Sequence, residues 1–373
     1  MKNLLYQRLS NILELTHSHD NKKNIASMEG IRGVAVFLVF IVHYAAVLEE
    51  HVGINQQVHL YNLYSWLRNI GSVGVDLFFI LSGFLIYGTI ISKKRPFLPY
   101  MERRVIRIYP TYIVVFIFYL ALSILVPESN KIPGEIGKAI SYLLQSFLVM
   151  PPLVSDIKPL MEVAWTLSYE MFFYIMTPFF VGLLQLRKWQ ANQRILFFLL
   201  LTIMGYLYCF YYHGHIRLLM FVAGIILFEV INKPQHKKVT PFLGVIAFVL
   251  SLVAIIQLMV FKIPHGTWWR QVIIYVGFFM LCYECFTWQT PGARIFSFTP
   301  LRWLGNMSYS YYLIHGLTVQ FVIILSAKFY FTTPLASSSS FFIFGIIVFL
   351  LSLVPAFFLF VFIEKPYSLA KKK

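Results

Sequence analysis

The sequence is poor in charge and poorer still in cysteine. Only 12% of its 373 residues are Asp, Glu, Lys or Arg, whereas 59% are hydrophobic. Soluble domains carry about 25% charged residues, so this composition excludes an ordinary soluble protein. Of the three cysteines, Cys282 and Cys285 share a helical face, but no His or further Cys nearby completes a zinc site. The sequence therefore predicts no metal site, and it predicts that these thiols are buried as small apolar groups.

Apolar stretches long enough to cross a bilayer, which needs about 17–25 residues, recur from end to end. A shorter apolar piece at 140–150, within the 127–162 loop, predicts an interfacial or re-entrant element. Residues 1–25 predict a cytoplasmic segment that could form an interfacial amphipathic helix. Residues 26–373 predict an all-α, polytopic transmembrane bundle of about ten helices. The predicted spans are 33–49, 72–92, 110–126, 163–186, 195–212, 217–232, 242–261, 271–289, 307–328 and 340–363.

Acidic residues are scarce, which leaves a formal charge of +16 from 31 Lys and Arg against 15 Asp and Glu. A basic excess could indicate a nucleic-acid partner, but the placement of the charges argues against one. If the N-terminus is cytoplasmic, ten spans return the C-terminus to the cytoplasm. The inner segments then hold 23 of the 31 basic residues and the outer segments hold 8. This asymmetry is the positive-inside rule, so the charge predicts topology and a lipid bilayer as partner.

Ionisable side chains inside spans cost about 2.5–3.5 kcal/mol each near the bilayer centre, so each one needs a reason. Six such residues are His43, Asp76, Glu170, Glu229, Glu284 and His315. Glu229 lies near an inner helix end, and Glu284 is interpreted as pairing with a neighbour. These two are left outside the predicted site.

His43 follows Arg32 by eleven residues on one predicted helix. At about 100° per residue the two side chains return to within about 20° of one face, about 16 Å apart along the axis. One face thus offers a cation at the cytoplasmic rim and a titratable base deep in the membrane. The alternative is a snorkelling arginine and a histidine that only packs between helices.

Asp76 and Glu170 are predicted to enter from the outer side, at a depth comparable to that of His43. Asp76 could orient the imidazole or hold it cationic. Three ionisable groups at one depth on three helices indicate a site rather than packing. The neighbouring Ser82-Gly83 pair is interpreted as a close helix contact rather than a nucleophile, because Ile80 stands where a nucleophile elbow needs glycine.

Arg104 and Arg107 are three residues apart and share a face where the third helix begins. Forked guanidiniums beside a helix N-terminus suit phosphate recognition, although topology-setting charges that face lipid headgroups remain the alternative. Near the ninth span, Ser308, Tyr311 and His315 form one stripe, and Tyr312 neighbours His315.

These pieces, taken in order, resemble the acyltransferase-3 family of bacterial membrane proteins that O-acylate carbohydrates. The matching motifs are Gly30-Ile-Arg-Gly33 with His43, Val75-Asp76 with Ser82-Gly-Phe-Leu85, Arg104-Val-Ile-Arg-Ile-Tyr-Pro110, Trp165-Thr-Leu-Ser-Tyr-Glu170 with Phe173-Tyr174, Arg217 with Phe221 and Gly224, Ser308-Tyr-Ser-Tyr-Tyr-Leu-Ile-His315, and Ile363-Glu-Lys-Pro366. Each motif alone is weak evidence, but the ordered set is specific.

The resemblance implies a multi-pass protein of the bacterial inner membrane with acyl-CoA, usually acetyl-CoA, as cytoplasmic co-substrate and a carbohydrate hydroxyl as acceptor. His43, Asp76 and Glu170 are then expected to be catalytic, and Arg32, Arg104 and Arg107 to bind the donor. Trp165, Tyr312 and His315 are expected to line the substrate path. No permanently bound cofactor is expected.

Many relatives carry an extracytoplasmic esterase-like domain, whereas this sequence stops at Lys373. The transfer is therefore expected to finish within the membrane domain or through a separate protein. A transporter or flippase of a glycolipid or acylated carbohydrate, without transferase chemistry, is the alternative function.

Overall fold

A computed structural model describes residues 2–15, 22–52, 58–125, 130–150, 159–212, 214–233, 242–260, 268–287, 290–329 and 338–369, and all the regular secondary structure in these ranges is helical. The α-helices are α1 (Lys2–Leu13), α2 (Lys22–Val52), α3 (Val58–Ser72), α4 (Gly74–Ser92), α5 (Phe97–Leu125), α6 (Ile136–Phe147), α7 (Ala164–Leu183), α8 (Ala191–Tyr212), α9 (Leu219–Ile231), α10 (Leu243–Val260), α11 (Trp268–Thr287), α12 (Pro291–Phe296), α13 (Thr299–Asn306), α14 (Ser308–Phe329) and α15 (Ser338–Leu359). Two 3-10 turns (Leu186–Lys188 and Ile216–Leu218) and a π-helix (Phe360–Ser368) complete the regular structure of these ranges.

Each predicted span overlaps one of these helices along most of its described length, which confirms the all-α, multi-pass membrane class. Six helical stretches of the described chain are long and apolar enough to cross a membrane. They are Ala26–Glu49, Asn62–Ser92, Phe97–Leu125, Ala191–Tyr212, Ser308–Ser326 and Ser340–Ser368. Ten crossings and cytoplasmic termini stay predictions.

Four described helices differ from the sequence expectations: α3, α6, and the short α12 and α13 between the eighth and ninth predicted spans. No span or element was predicted for α3, which precedes α4. The 127–162 loop, expected to be irregular apart from its apolar piece, holds α6, which begins four residues before that piece. Tyr112 donates a hydrogen bond to the carbonyl oxygen of Ser146 at 2.6 Å, so α6 is fixed to α5.

The amphipathic N-terminal helix is present as α1, and it contacts protein. Asn306 donates a hydrogen bond to the carbonyl oxygen of Leu13 at 3.0 Å, and the rings of Tyr6 and Trp303 lie 5.4 Å apart. Arg302 bonds both Glu14 at 2.8 Å and Glu29 at 2.9 Å. The end of α1 is therefore held against α13, while its predicted place on the membrane surface stays a prediction.

The chain divides into two compact units. The first unit comprises Met1–Lys93, Val181–Ser308 and Thr333–Phe341, and in it α2 packs against α3, α4 and α13, α4 against α9, and α10 against α11. The second unit comprises Lys94–Phe180, Tyr309–Thr332 and Phe342–Lys373, and in it α5 packs against the π-helix.

Two glycines allow α4 and α9 of the first unit to approach each other closely. A Cβ atom on Gly83 would lie 2.1 Å from the carbonyl oxygen of Phe221, and one on Gly224 would lie 2.1 Å from that of Ile80. The rings of Phe79 and Phe221 stack beside this contact with centroids 4.4 Å apart. The predicted close contact at Ser82-Gly83 is thereby confirmed, and it is small-residue packing of the kind typical of membrane helices.

We expect Gly83→Ala and Gly224→Ala each to destabilise the protein by about 1–3 kcal/mol, because the added methyl group meets backbone that cannot rotate away. Thermal unfolding in detergent measures the effect. Gly182→Ala is the matched control, since a Cβ at that helical position meets nothing within 4 Å. Equal stability of all three variants would contradict this account of the contact.

Candidate functional site

The His43 imidazole has a defined orientation on α2. Its Nδ1 lies 2.9 Å from the carbonyl oxygen of Val39, one turn earlier, and the side chain is half-buried. A carbonyl oxygen only accepts hydrogen bonds, so Nδ1 carries the proton. In the neutral ring Nε2 then holds the lone pair, and it is the atom able to take a proton.

Arg32 and His43 lie on the same uninterrupted helix, as predicted. Arg32 is half-buried between two glycines that face backbone: a Cβ on Gly30 would lie 1.5 Å from the carbonyl oxygen of Phe296, and one on Gly33 would lie 2.2 Å from that of Leu301. Because Gly30 and Gly33 have no side chains, the backbone of Phe296 and Leu301 packs directly against the backbone of α2. Arg32 projects from this tightly packed segment.

The junction between α3 and α4 is pressed onto α2 just before His43. A Cβ on Gly71 would lie 2.6 Å from the amide nitrogen of Val42, and one on Gly74 would lie 2.5 Å from the carbonyl oxygen of Ala35. Asp76, two residues after Gly74, is thereby placed in the first turn of α4 within the same unit as His43.

Asp76 is completely buried, and it lies close to a cation that was not predicted as part of the site. Nε of Arg217 lies 3.9 Å from Oδ1 of Asp76. Neither carboxylate oxygen accepts a hydrogen bond from any residue within the described ranges. An orienting role for Asp76 toward His43 thus stays a prediction. The available signal for Arg217 was its position in an ordered family motif and on the sparsely basic outer side.

In the second unit, Arg104 is held by aromatic rings. Its guanidinium carbon lies 5.4 Å from the ring centroids of both Tyr100 and Tyr174, a cation–π arrangement. The Tyr174 hydroxyl donates a hydrogen bond to Glu170 at 2.5 Å. Glu170 is thus joined to the surroundings of Arg104, and its predicted convergence with Asp76 and His43 stays a prediction.

Arg107 points to a different partner, although it shares a helix face with Arg104. Its Nη1 bonds Glu364 at 2.7 Å, and Glu364 is fully buried. The other carboxylate oxygen of Glu364 accepts hydrogen bonds from the backbone nitrogen of Ser310 at 3.0 Å and from its hydroxyl at 2.6 Å. Glu364 therefore caps the start of α14 and balances the charge of Arg107, which makes Arg107 a weaker candidate for direct phosphate binding than Arg104.

The predicted substrate-path residues take part in a packed network in the second unit. The Tyr312 hydroxyl lies 2.7 Å from that of Thr166 and donates to the carbonyl oxygen of Val163 at 3.0 Å. His315 is completely buried, with Nδ1 2.8 Å from the carbonyl oxygen of Tyr312. Trp165 is half-buried on α7, and its ring lies 6.1 Å from that of Tyr169 between centroids.

Comparison with known proteins identifies the family of this chain. The sequence profile of the acyltransferase-3 family, described as an acyltransferase domain, matches residues 25–361. The chain belongs to this family.

Three relatives illustrate its range. Peptidoglycan O-acetyltransferase OatA of Listeria monocytogenes is 26% identical over 336 residues, 79% of this chain and 49% of that protein. Exopolysaccharide production protein ExoZ of Rhizobium meliloti is 28% identical over 270 residues, 68% of this chain and 78% of that protein. Acyltransferase MdmB of Streptomyces mycarofaciens is 27% identical over 164 residues, 43% of this chain and 40% of that protein. The chain thus spans about half the length of the Listeria protein. No solved structure matches.

The ion pair between Arg107 and the buried Glu364 predicts that the effects of mutating its two residues on stability are not additive. Arg107→Met or Glu364→Met alone is expected to destabilise the protein by about 3–5 kcal/mol, because each leaves the other charge without its partner. The double variant is expected to be more stable than the sum of the single effects predicts. Thermal unfolding of the four proteins measures the coupling, and strictly additive losses would contradict the pairing.

Proposed function

We propose that the protein is a membrane-bound O-acyltransferase. It moves an acyl group, acetyl in the first instance, from cytoplasmic acyl-CoA to a hydroxyl of a cell-surface or lipid-linked carbohydrate at the bacterial inner membrane. Membership of the family and the names of its relatives support acyl transfer to carbohydrate. The observation that carries the proposal is His43, whose Nδ1 is fixed by the Val39 carbonyl, which places the lone pair of the neutral ring on Nε2.

His43 is proposed as the general base. Nε2 accepts the proton of the acceptor hydroxyl as that oxygen attacks the thioester carbon. A C–O bond forms and the C–S bond breaks, and the leaving thiolate takes the proton back from Nε2. The imidazole ends the cycle neutral, as it began.

The donor is proposed to be recognised by arginines at the cytoplasmic side. Arg32 lies about 16 Å from His43 along α2, roughly the length of an extended pantetheine arm. Arg104 offers a second guanidinium, oriented by the rings of Tyr100 and Tyr174. Arg107 contributes through Glu364, with which it is paired, and so supports the site rather than gripping phosphate.

His43→Ala is expected to fold and insert normally but to lower acyl transfer at least about a hundredfold, since the proton acceptor is lost. The assay follows thiol release from acetyl-CoA together with acylation of a glycan acceptor, using purified protein. Size-exclusion profile and thermal unfolding verify that the variant is intact. Wild-type turnover in this variant would eliminate His43 as the base. Transport of a glycolipid by the wild-type protein without thioester consumption would favour the flippase alternative.

Arg104→Gln is expected to raise the KM and the Kd for acetyl-CoA about tenfold, as loss of one charge-assisted contact would do. Arg103→Gln is the matched control, because Arg103 is the adjacent arginine and is exposed. Unchanged donor affinity in Arg104→Gln, or equal loss in both variants, would contradict a specific donor contact.

A further inference from the structure

Four side chains of the second unit, here called the tyrosine bridge, are Tyr100 and Arg104 of α5 and Glu170 and Tyr174 of α7. On each helix the two residues are four apart, so they share one face. The guanidinium carbon of Arg104 lies 5.4 Å from the centroids of both tyrosine rings. The Tyr174 hydroxyl donates a hydrogen bond to Oε1 of Glu170 at 2.5 Å. Tyr174 thus contacts a cation through its ring and a carboxylate through its hydroxyl.

The Tyr174 side chain has little freedom to move. It is 5% exposed, and Tyr100, which is 3% exposed, donates a hydrogen bond to the carbonyl oxygen of Tyr174 at 3.2 Å. A tyrosine ring is rigid, and few torsions precede it. One fixed side chain therefore sets the placement of Arg104 relative to Glu170.

Packing alone does not account for the Tyr174 hydroxyl. Tyr112 and Tyr312, which are also buried in the second unit, donate to backbone carbonyl oxygens at 2.6 and 3.0 Å and so join segments of the chain. Tyr174 donates instead to the side chain of Glu170. A phenylalanine would fill the same space, so the hydroxyl adds a charge-assisted hydrogen bond, which is roughly twice as strong as a neutral one.

The cation at the ring of Tyr174 keeps its capacity to bind an anion. Nε of Arg104 is buried and donates no hydrogen bond within the described ranges. The two tyrosine rings stabilise the guanidinium without neutralising its charge. The tyrosines therefore set the direction of Arg104 and leave its charge in place.

We propose that Tyr174 is a positioning residue of the acyl transfer, which holds Arg104 for the donor with its ring and Glu170 for the transfer step with its hydroxyl. The ring directs the guanidinium toward a donor phosphate. The hydroxyl keeps the Glu170 carboxylate oriented while the acyl group moves. This inference rests on the proposed function for the donor at Arg104 and on the catalytic role predicted for Glu170. It adds the side chain that places both, so the two effects can be lost separately.

Tyr174→Phe keeps the ring and removes the hydroxyl. The full-length variant in detergent is expected to bind acetyl-CoA within about twofold of the wild type, but to lose at least about tenfold in kcat at saturating donor. The assay follows transfer from radiolabelled acetyl-CoA to surface polysaccharide isolated from the host bacterium. General damage to the fold would not separate the Kd from kcat in this way.

Tyr174→Leu removes the ring as well. It is expected to raise the Kd for acetyl-CoA about fivefold in addition to lowering kcat, because Arg104 loses one of its two rings. In an Arg104→Gln background the same change is expected to alter the Kd less than about twofold, since no guanidinium is left to orient. If Tyr174→Leu does not fold, Tyr100→Leu removes the other ring and tests the same effect on the Kd.

Tyr142→Phe is the matched control. Tyr142 is 7% exposed in the same unit, and its hydroxyl has no hydrogen-bond partner among the described residues. This variant should bind acetyl-CoA and transfer the acetyl group as the wild type does. Size-exclusion profile and thermal unfolding verify that every variant is intact.

Three outcomes would overturn the proposal while the wild type still transfers, and the proposed function would stand. They are wild-type kcat in Tyr174→Phe, equal rises of the Kd in Tyr174→Phe and Tyr174→Leu, and additive effects of Tyr174→Leu and Arg104→Gln on the Kd. A wild-type protein that neither binds acetyl-CoA nor releases its thiol would overturn the proposed function, and this inference with it.

Discussion

A carboxylate buried among apolar helices is stable only when N–H groups or cations surround it, and this constraint joins the distant segments within each unit. Glu364 binds Arg107 of α5 and the start of α14. Glu284 of α11 accepts from the backbone nitrogens of Phe242 and Val245, where α10 begins. Both carboxylates therefore fix helix N-termini, where their charge is most stable.

The buried Glu229 carboxylate is surrounded by donors in the same way, but here the donors are side chains. Arg194 bonds both of its oxygens, at 2.6 and 2.8 Å, and Tyr87 donates to it as well. Asp76 stands apart from these satisfied groups, because neither of its oxygens accepts a hydrogen bond within the described ranges. Its charge is faced instead by Arg217, whose Nε lies 3.9 Å from Oδ1.

Local sequence signals predicted the helices and the features carried by a single helix. Hydropathy located a helix at every predicted span because burial in lipid requires continuous apolar stretches. The eleven-residue spacing put Arg32 and His43 on one helix, and the small-residue signal at Ser82-Gly83 found the contact with α9. Helix α3 was missed because its sequence, with Arg68 and Asn69 among its polar residues, lacks a continuous apolar run.

Partners that are distant in sequence could not be predicted in this way. Arg107 and Glu364 are 257 residues apart, and neither local motif indicates that the two residues are in contact. Arg217 and Asp76 are likewise joined only by the packing of α4 against α9, which sequence periodicity indicates for each helix separately but not for the pair.

Arg104 and Arg107, which lie on α5 just before the third predicted span, show where such reasoning stops and structure becomes decisive. Their three-residue spacing does place Arg104 and Arg107 on one face, and both were assigned to donor phosphates on that ground. Yet Arg107 binds a buried carboxylate in addition to lying over the ring of Tyr309, whereas Arg104 lies against two tyrosine rings. Aromatic rings orient a guanidinium without neutralising its charge, while a carboxylate does neutralise it. Of two side chains that look equivalent in sequence, Arg104 therefore retains the greater capacity to attract a phosphate.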